Sequence, residues 1–247
     1  MNFGLIIIGD EILSGKRQDK HLAKVIELLG ARGLSLAWAQ YLGDDPARIT
    51  AALRSAFASG DVVFSCGGIG ATPDDHTRQC AAAALERPLA LHPEARELIM
   101  ARVRKLAAEQ GWTADPDHPD TIHRLNMGVF PEGAEIIPNP YNQIPGFAVN
   151  DVHFVPGFPV MAHPMIEALL DGRYAHLHGG GAQQERSVIV YGAMEASLTP
   201  LMIDIEARFP GIKVFSLPSV DHPVHGRHIE LGVKGQGDAL LSAYADL

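Results

Sequence analysis

Cysteine is scarce in this 247-residue chain, which holds only Cys66 and Cys80. Neither a disulfide framework nor a zinc module can be built from such a pair. Basic charge is also short: Lys and Arg total 20 against 29 Asp and Glu, a formal charge of −9. The cationic footprint of a broad nucleic-acid groove is therefore missing. No apolar run is long enough to span a membrane. The amino terminus has no basic stretch ahead of its short apolar run, so it is expected to be a first strand and not a signal peptide. The twelve histidines show neither H-x-x-x-H nor HExxH spacing. His176-x-His178 and His225-x-x-His228 come nearest to ligand pairs, and ordinary polar roles explain them as well. No repeat or low-complexity tract is present. By default these absences leave a cytoplasmic globule, long enough for one large domain plus a small one.

What is present reads as strand and helix in alternation. Residues 3–8 form a continuous apolar run, expected as a strand buried on both faces. Leu22, Val25, Ile26 and Leu29 fall at helical spacing, and Leu34 to Leu42 is the next strand. Asp45-Pro46 opens a helix with a cap and a proline at its first position, carrying Ile49, Leu53, Ala56 and Phe57 on one face. Asp61 to Cys66 is a third strand, followed by helices at 75–86 and 92–110. This order predicts an α/β layered fold with right-handed crossovers. Residues 115–120 are expected as a loop, and 138–147 as irregular chain between short strands at 135–137 and 152–155. A helix at 160–170 follows the Pro156-Gly157-Phe158-Pro159 turn. Glycines near 171–184 mark a boundary between a domain of residues 1–172 and a small α+β domain of residues 183–247.

Three polar turns follow the first three strands, at the carboxyl ends where open α/β sheets bind ligands. They are Gly9-Asp10-Glu11-Ile12-Leu13-Ser14-Gly15, Gly43-Asp44-Asp45, and Gly67-Gly68-Ile69-Gly70-Ala71-Thr72-Pro73-Asp74-Asp75-His76-Thr77. Gly67, Gly68 and Gly70 let backbone N–H groups approach an anion with no Cβ in the way, and Thr72 adds a hydroxyl. A phosphate near the start of the next helix is favoured; the alternative is a plain tight turn. Carboxylates repel a phosphate unless a cation intervenes. Asp10, Glu11, Asp44, Asp74 and Asp75 therefore point to a divalent metal or to acid–base work beside the anion. Local structure competes for the same groups. Asp45 reads as a helix cap, Asp75 as a cap or a chemical group, and Glu11 as an acceptor for backbone N–H groups. His76 reads as an exposed residue and Cys66 as packing.

This ordered set of motifs resembles the molybdopterin-binding (MoaB/Mog-like) domain family. The branch is that of the amino-terminal part of CinA and of the domain fused to eukaryotic FAD synthases. Gly9–Gly15 matches G-D-E-[IL]-L-x-G, and Gly67–Thr77 matches G-G-[IL]-G-P-T-x-D-D-x-T. Gly43-Asp44-Asp45 matches the acidic turn, and Asn139 onward matches N-x-x-G-x-A-P-G-F with a following P-G-x-P turn. The resemblance covers about residues 3–170 and implies an α/β fold with three layers around a mostly parallel sheet. The second, small α+β domain resembles more loosely the one that follows in CinA.

Carried over by position, the phosphate region of a pterin or nucleotide falls on Gly67, Gly68, Gly70 and Thr72, with Asp74 and Thr77 in the same motif. Acids important in molybdopterin adenylyltransferases match Asp44 and Asp75. The loop holding Asn139, Pro145 and Gly146 matches a pocket wall. The implied activity is metal-dependent hydrolysis of a phosphoanhydride in ADP-ribose or FAD-like dinucleotides. In it Asp75 and Asp44 hold Mg²⁺ or another divalent cation, and Asp10 or Glu11 orients water. The alternatives are molybdopterin binding or adenylyl transfer in molybdenum cofactor biosynthesis, and a non-catalytic pterin- or nucleotide-binding module. The chain departs from the pattern at Ala71, Asn142, Ile144 and Val160, and at His21 or Lys20 where the family has asparagine. Expected partners are a small phosphorylated ligand and further copies in a homo-oligomer, without nucleic acid or membrane. The CinA amidase domain has no counterpart in these residues, so amidase activity is not expected of them.

Overall fold

The computed structural model describes residues 1–179 and 184–247. The expected boundary glycines Gly180 and Gly181, and residue 183, lie outside the described residues. The chain divides into two compact units, Met1–Ala31 with Ser35–Leu177, and Arg32–Leu34 with His178–Leu247.

The first unit runs β1 (Phe3–Ile8), α1 (Asp10–Leu13), α2 (His21–Gly30), β2 (Leu36–Leu42), α3 (Pro46–Ser59), β3 (Val62–Cys66) and α4 (Thr77–Leu85). It continues with β4 (Leu89–Leu91), α5 (Pro93–Gln110), α6 (Pro119–Leu125), β5 (Val129–Pro131), β6 (Glu135–Ile137), β7 (Gly146–Val149), β8 (Val152–Val155) and α7 (Pro159–Asp171). Six strands make one sheet in the order β2-β1-β3-β8-β7-β6. β2, β1, β3 and β8 are parallel, and β7 is antiparallel to both its neighbours. Ile8 pairs with Leu42, and Cys66 pairs with both Ile7 and Val155. Four strands therefore end at one level, and the turns that follow them meet along one edge.

Layering follows from alternation. Ile6 and Ile8 of β1 pack with Ile49, Leu53 and Ala56 of α3 and with Cys80 and Ala81 of α4. Successive strand residues point to opposite faces, so Leu5 and Ile7 face the other helical layer, where Val25 and Leu29 of α2 and Met165 and Ile166 of α7 are buried. Phe130, Phe147 and Phe154 stack at 4.6 and 4.3 Å between centroids, which ties β5, β7 and β8 into one core. α3 starts as its sequence predicts. Asp45 accepts from the N–H groups of Ala47 at 2.8 Å and Arg48 at 3.0 Å, Pro46 takes the first position, and Gly60 ends the helix in the left-handed region.

Three local expectations change. Residues 115–118 are loop, but Pro119 starts α6, and His118 Nδ1 accepts from the Asp120 N–H at 3.2 Å. Proline pre-sets the φ angle of a helical first residue, so it opens regular structure here. Gly146 begins β7 and does not mark a turn; a Cβ on it would lie 2.3 Å from the Phe154 carbonyl oxygen, so the strand approaches β8 through glycine. The short β4–β5 pair was not legible, being three residues a side and held by non-local pairing.

The second unit contains β9 (Gln184–Val190), α8 (Glu195–Arg208), β10 (Lys213–His222), β11 (Gly226–Gly235) and α9 (Gly237–Asp246). Its sheet is antiparallel in the order β10-β11-β9. Ile205, Ile212, Val233, Leu240 and Ala243 form its core. Among the described residues, no helix is long and apolar enough to cross a membrane.

Candidate functional site at the carboxyl edge of the sheet

The turns after β1 and β2 clasp each other through their aspartates. The Asp10 N–H donates to Asp44 Oδ2 at 2.9 Å, and the Asp44 N–H donates to Asp10 Oδ1 at 3.1 Å. Gly43 makes room for this contact, since a Cβ there would meet Asp10 Oδ1 at 2.4 Å. One oxygen of each carboxylate thus holds the neighbouring turn and the other stays open. Burial raises the Asp44 pKa, and the charges of Asp10, Glu11 and Asp74 raise it further against the opposing Asp10 N–H. Asp45 takes no part in this cluster, because it caps α3.

The glycine loop is oriented from beneath by the first residues of α4. Gly67 and Gly68 have φ of 107° and 68°, in the region where a Cβ is strained. The buried Thr77 hydroxyl donates to the Gly67 carbonyl at 3.1 Å, and the Thr77 N–H donates to the Gly68 carbonyl at 3.0 Å. The buried Arg78 guanidinium donates to the Ile69 carbonyl. A trans peptide is planar, with its C=O and N–H antiparallel. Drawing three successive carbonyls toward α4 therefore turns the N–H groups of Gly68, Ile69 and Gly70 the other way. Among the described residues, no protein acceptor takes the N–H groups of Gly68, Ile69, Gly70 or Ala71. Asp75 folds the end of the loop by accepting from the Thr72 N–H at 2.8 Å and from its hydroxyl.

These turns line a cavity of about 370 Å³. Gly67, Gly68, Gly70 and Thr72 line it together with Glu11, Asp44, Asp74 and Asp75. Asp10 lies just outside, in an adjoining hollow shared with Glu11, Asp44 and Asp74. Thr77 stands below the loop as a support, fully buried. Asn139, Pro145 and Gly146 do not line the cavity. Asn139 donates to Asn142 Oδ1 at 2.8 Å and to the Ile144 carbonyl at 3.0 Å, and accepts from the Tyr141 N–H at 3.0 Å, so it ties its own loop together. The corresponding wall is made by Pro156, Gly157 and Phe158.

Arg17, His21 and Arg78 carry no assigned role in the sequence reading. Arg17 lines the cavity and brings positive charge to an acidic rim; its position just beyond Gly15 was the available signal. The wall at Gly157 is held by His21, whose Nε2 lies 3.0 Å from the Gly157 carbonyl oxygen. Arg78 gave no signal, since a basic residue in a helix's first turn reads as solvent-exposed. Cys66 is buried beside the loop and burial pushes its thiol pKa up, which makes it a packing residue.

Among the described residues, no group of three His, Cys, Asp or Glu is gathered for a metal ion. Asp44 and Asp75 both border the cavity, and each keeps one oxygen clear of the hydrogen bonds described above. That suits an ion such as Mg²⁺, which uses one or two carboxylates and takes its other ligands from water and phosphate.

An open α/β sheet with acidic turns and an upturned glycine loop at its carboxyl edge defines a class of proteins that receive small anionic ligands there. Comparison with known proteins narrows the class. The family model described as probable molybdopterin binding domain matches residues 4–176, and the chain belongs to that family. It is 31% identical over 223 residues to a CinA-like protein of Syntrophotalea carbinolica, covering 85% of this chain and 51% of that protein. It is also 31% identical over 260 residues to a protein of Pyrobaculum calidifontis, covering 98% and 94% respectively. The solved structure of CinA from Thermoplasma acidophilum, described as of unknown function, is 28% identical with a TM-score of 0.56, covering 69% of this chain and 98% of that one. The chain spans about half the length of the Syntrophotalea relative.

Proposed function

We propose that this chain binds a phosphorylated pterin or nucleotide, molybdopterin included, with a phosphate seated on the loop from Gly67 to Thr72. One observation carries this reading: successive backbone N–H groups from Gly68 to Ala71 lack protein acceptors in a loop that lines the cavity. Such groups make an anion-binding concavity. The N–H groups of Gly68, Ile69, Gly70 and Ala71 contact the phosphate, Gly67 and Thr72 frame them with their own N–H groups held by Val155 and Asp75, and Arg17 balances its charge. Thr77 and Arg78 hold the loop's carbonyls away from it. Asp44 and Asp75 would hold a divalent cation beside the phosphate, which would neutralise oxygen charge there.

A second reading, hydrolysis of a phosphoanhydride, is favoured by the carboxylates of Asp10 and Glu11, which border the hollow that Asp44 and Asp74 also line. A carboxylate beside the phosphate takes the proton of an attacking water as the new P–O bond forms and the anhydride P–O bond breaks. Asp10 and Glu11 border the same hollow and would orient that water.

Titration calorimetry with ADP-ribose, FAD and AMP, with and without Mg²⁺, tests the first reading. Saturable binding of at least one ligand, weakened in Gly68→Ala, is the expected result; no binding of any of them would refute it. Release of AMP from ADP-ribose or FAD by the wild-type chain, lost in Asp44→Asn, is expected under the second reading. Binding without turnover would leave the first reading alone.

A further inference from the structure

The second unit carries a histidine cluster that the carboxyl-edge site does not use. His222 ends β10, His225 lies in the turn, and His228 is the third residue of β11. Their rings form a nearly equilateral triangle, with centroids 5.0, 5.2 and 5.5 Å apart. Tyr191, just beyond β9, reaches the same group: its hydroxyl lies 2.7 Å from His225 Nδ1, and its ring centroid is 6.3 Å from both His225 and His228.

We propose that His222, His225 and His228 bind one divalent transition-metal ion of the kind that favours imidazole, with Zn²⁺ or Ni²⁺ as the occupant. The ring spacing is the first support. Metal–nitrogen bonds of about 2.0–2.1 Å at tetrahedral angles put the centres of three imidazoles roughly 5 Å apart. The tautomer of His228 is the second. Its Nδ1 lies 2.9 Å from the Gly226 carbonyl oxygen, to which it must donate, so its Nε2 carries the lone pair. A ring N–H donated to a backbone carbonyl is the usual partner of a metal-binding histidine. Tyr191 serves His225 in the same manner, because an Nδ1–H donated to the Tyr191 oxygen frees Nε2.

The site closes on the ion and is not ready-made, in keeping with the absence of a gathered ligand trio among the described residues. His228 is the fixed member, buried on β11. His222 and His225 are exposed and can rotate. His222 Nδ1 now accepts from the N–H groups of Val224 at 3.2 Å and His225 at 3.1 Å, which places its proton on Nε2. Ligation through Nε2 requires it to release those two N–H groups, and on an exposed turn water takes them. Imidazole sites select Zn²⁺ or Ni²⁺ over the oxygen-preferring Mg²⁺ and Ca²⁺. The bound ion pins the β10–β11 turn against the end of β9.

The test is calorimetric titration of the chelator-treated full chain with Zn²⁺ in excess Mg²⁺, which occupies carboxylate sites. One Zn²⁺ per chain is expected. His222→Gln/His225→Gln, with both changes at exposed positions and the fold checked by circular dichroism, should bind at least tenfold more weakly. The exposed His118→Gln should bind as wild type does. Co²⁺ in place of Zn²⁺ should give visible absorption bands that the double variant lacks. No saturable binding, or equal affinity in the double variant, overturns the proposal. Loss of Zn²⁺ binding in Asp44→Asn with the histidines intact would also overturn it, by moving the ion to the other unit.

Discussion

Replacing Thr77 by valine tests whether the glycine loop is oriented from beneath. Valine keeps the volume of this fully buried side chain, so no cavity term enters. What it removes is the 3.1 Å hydrogen bond from the hydroxyl to the Gly67 carbonyl. An oxygen left buried without its donor costs about 1–3 kcal/mol, which in a protein of this size is about 2–4 °C of Tm per kcal/mol. The same carbonyl belongs to the peptide that carries the Gly68 N–H, so freeing one lets the other turn from the cavity. If half of that cost falls on the ligand-competent loop, affinity drops by up to about tenfold, since roughly 1.4 kcal/mol corresponds to a factor of ten. Thr77→Ser keeps the hydroxyl and serves as the control. Urea unfolding and calorimetry with ADP-ribose measure the two effects. Stability within about 0.5 kcal/mol of wild type, together with unchanged affinity, would show that Thr77 does not orient the loop.

Gly68→Ala should cost more binding than stability. The added Cβ would meet Thr77 Oγ at 2.1 Å at a φ of 68°, and the strain falls on the loop itself; ligand titration beside thermal melting separates the two. Asp44→Asn should stabilise the chain near neutral pH. The Asp44 pKa is raised in the folded state, so folding binds a proton there and stability falls as pH rises through the interval from the ordinary value of about 4 upward. The asparagine variant should lack that decline in urea midpoints measured from pH 4 to 7, while losing Mg²⁺-dependent affinity. His153 predicts the opposite trend on acidification. Burial foremost, with help from Arg173, lowers its pKa to about 3. The unfolded chain takes up a proton below about 6.5 that the folded chain refuses, so stability falls from there toward pH 3. His153→Gln should flatten that acid limb, and an unchanged limb would assign it to other groups.

Much of the first unit was legible because its signals are local. The isoleucine run of β1, the Asp45-Pro46 start of α3 and the spacing of Ile49, Leu53 and Ala56 report burial and helix entry within a few residues of themselves. The Asp10–Asp44 clasp was not legible. It joins turns 34 residues apart, and which oxygen meets which N–H depends on strands ending at the same level. Pro119 and Gly146 misled for a related reason. A residue type allows both a turn and the first residue of an element, and the neighbouring chain decides between them.

By itself the sequence determined the alternation of strands and helices, the three polar turns and the placement of Gly67 and Gly68 where the backbone takes a positive φ. Each of these depends on side-chain volume, periodicity or φ freedom, properties a residue carries with it. Tertiary structure alone decided that carbonyls 67, 68 and 69 turn toward Thr77 and Arg78, that Pro156–Phe158 and not Asn139 walls the cavity, and that three histidines meet at 5.0–5.5 Å on one hairpin. Those are relations between groups distant in the chain or set by strand register, and distance and direction between such groups exist only once the sheets have formed.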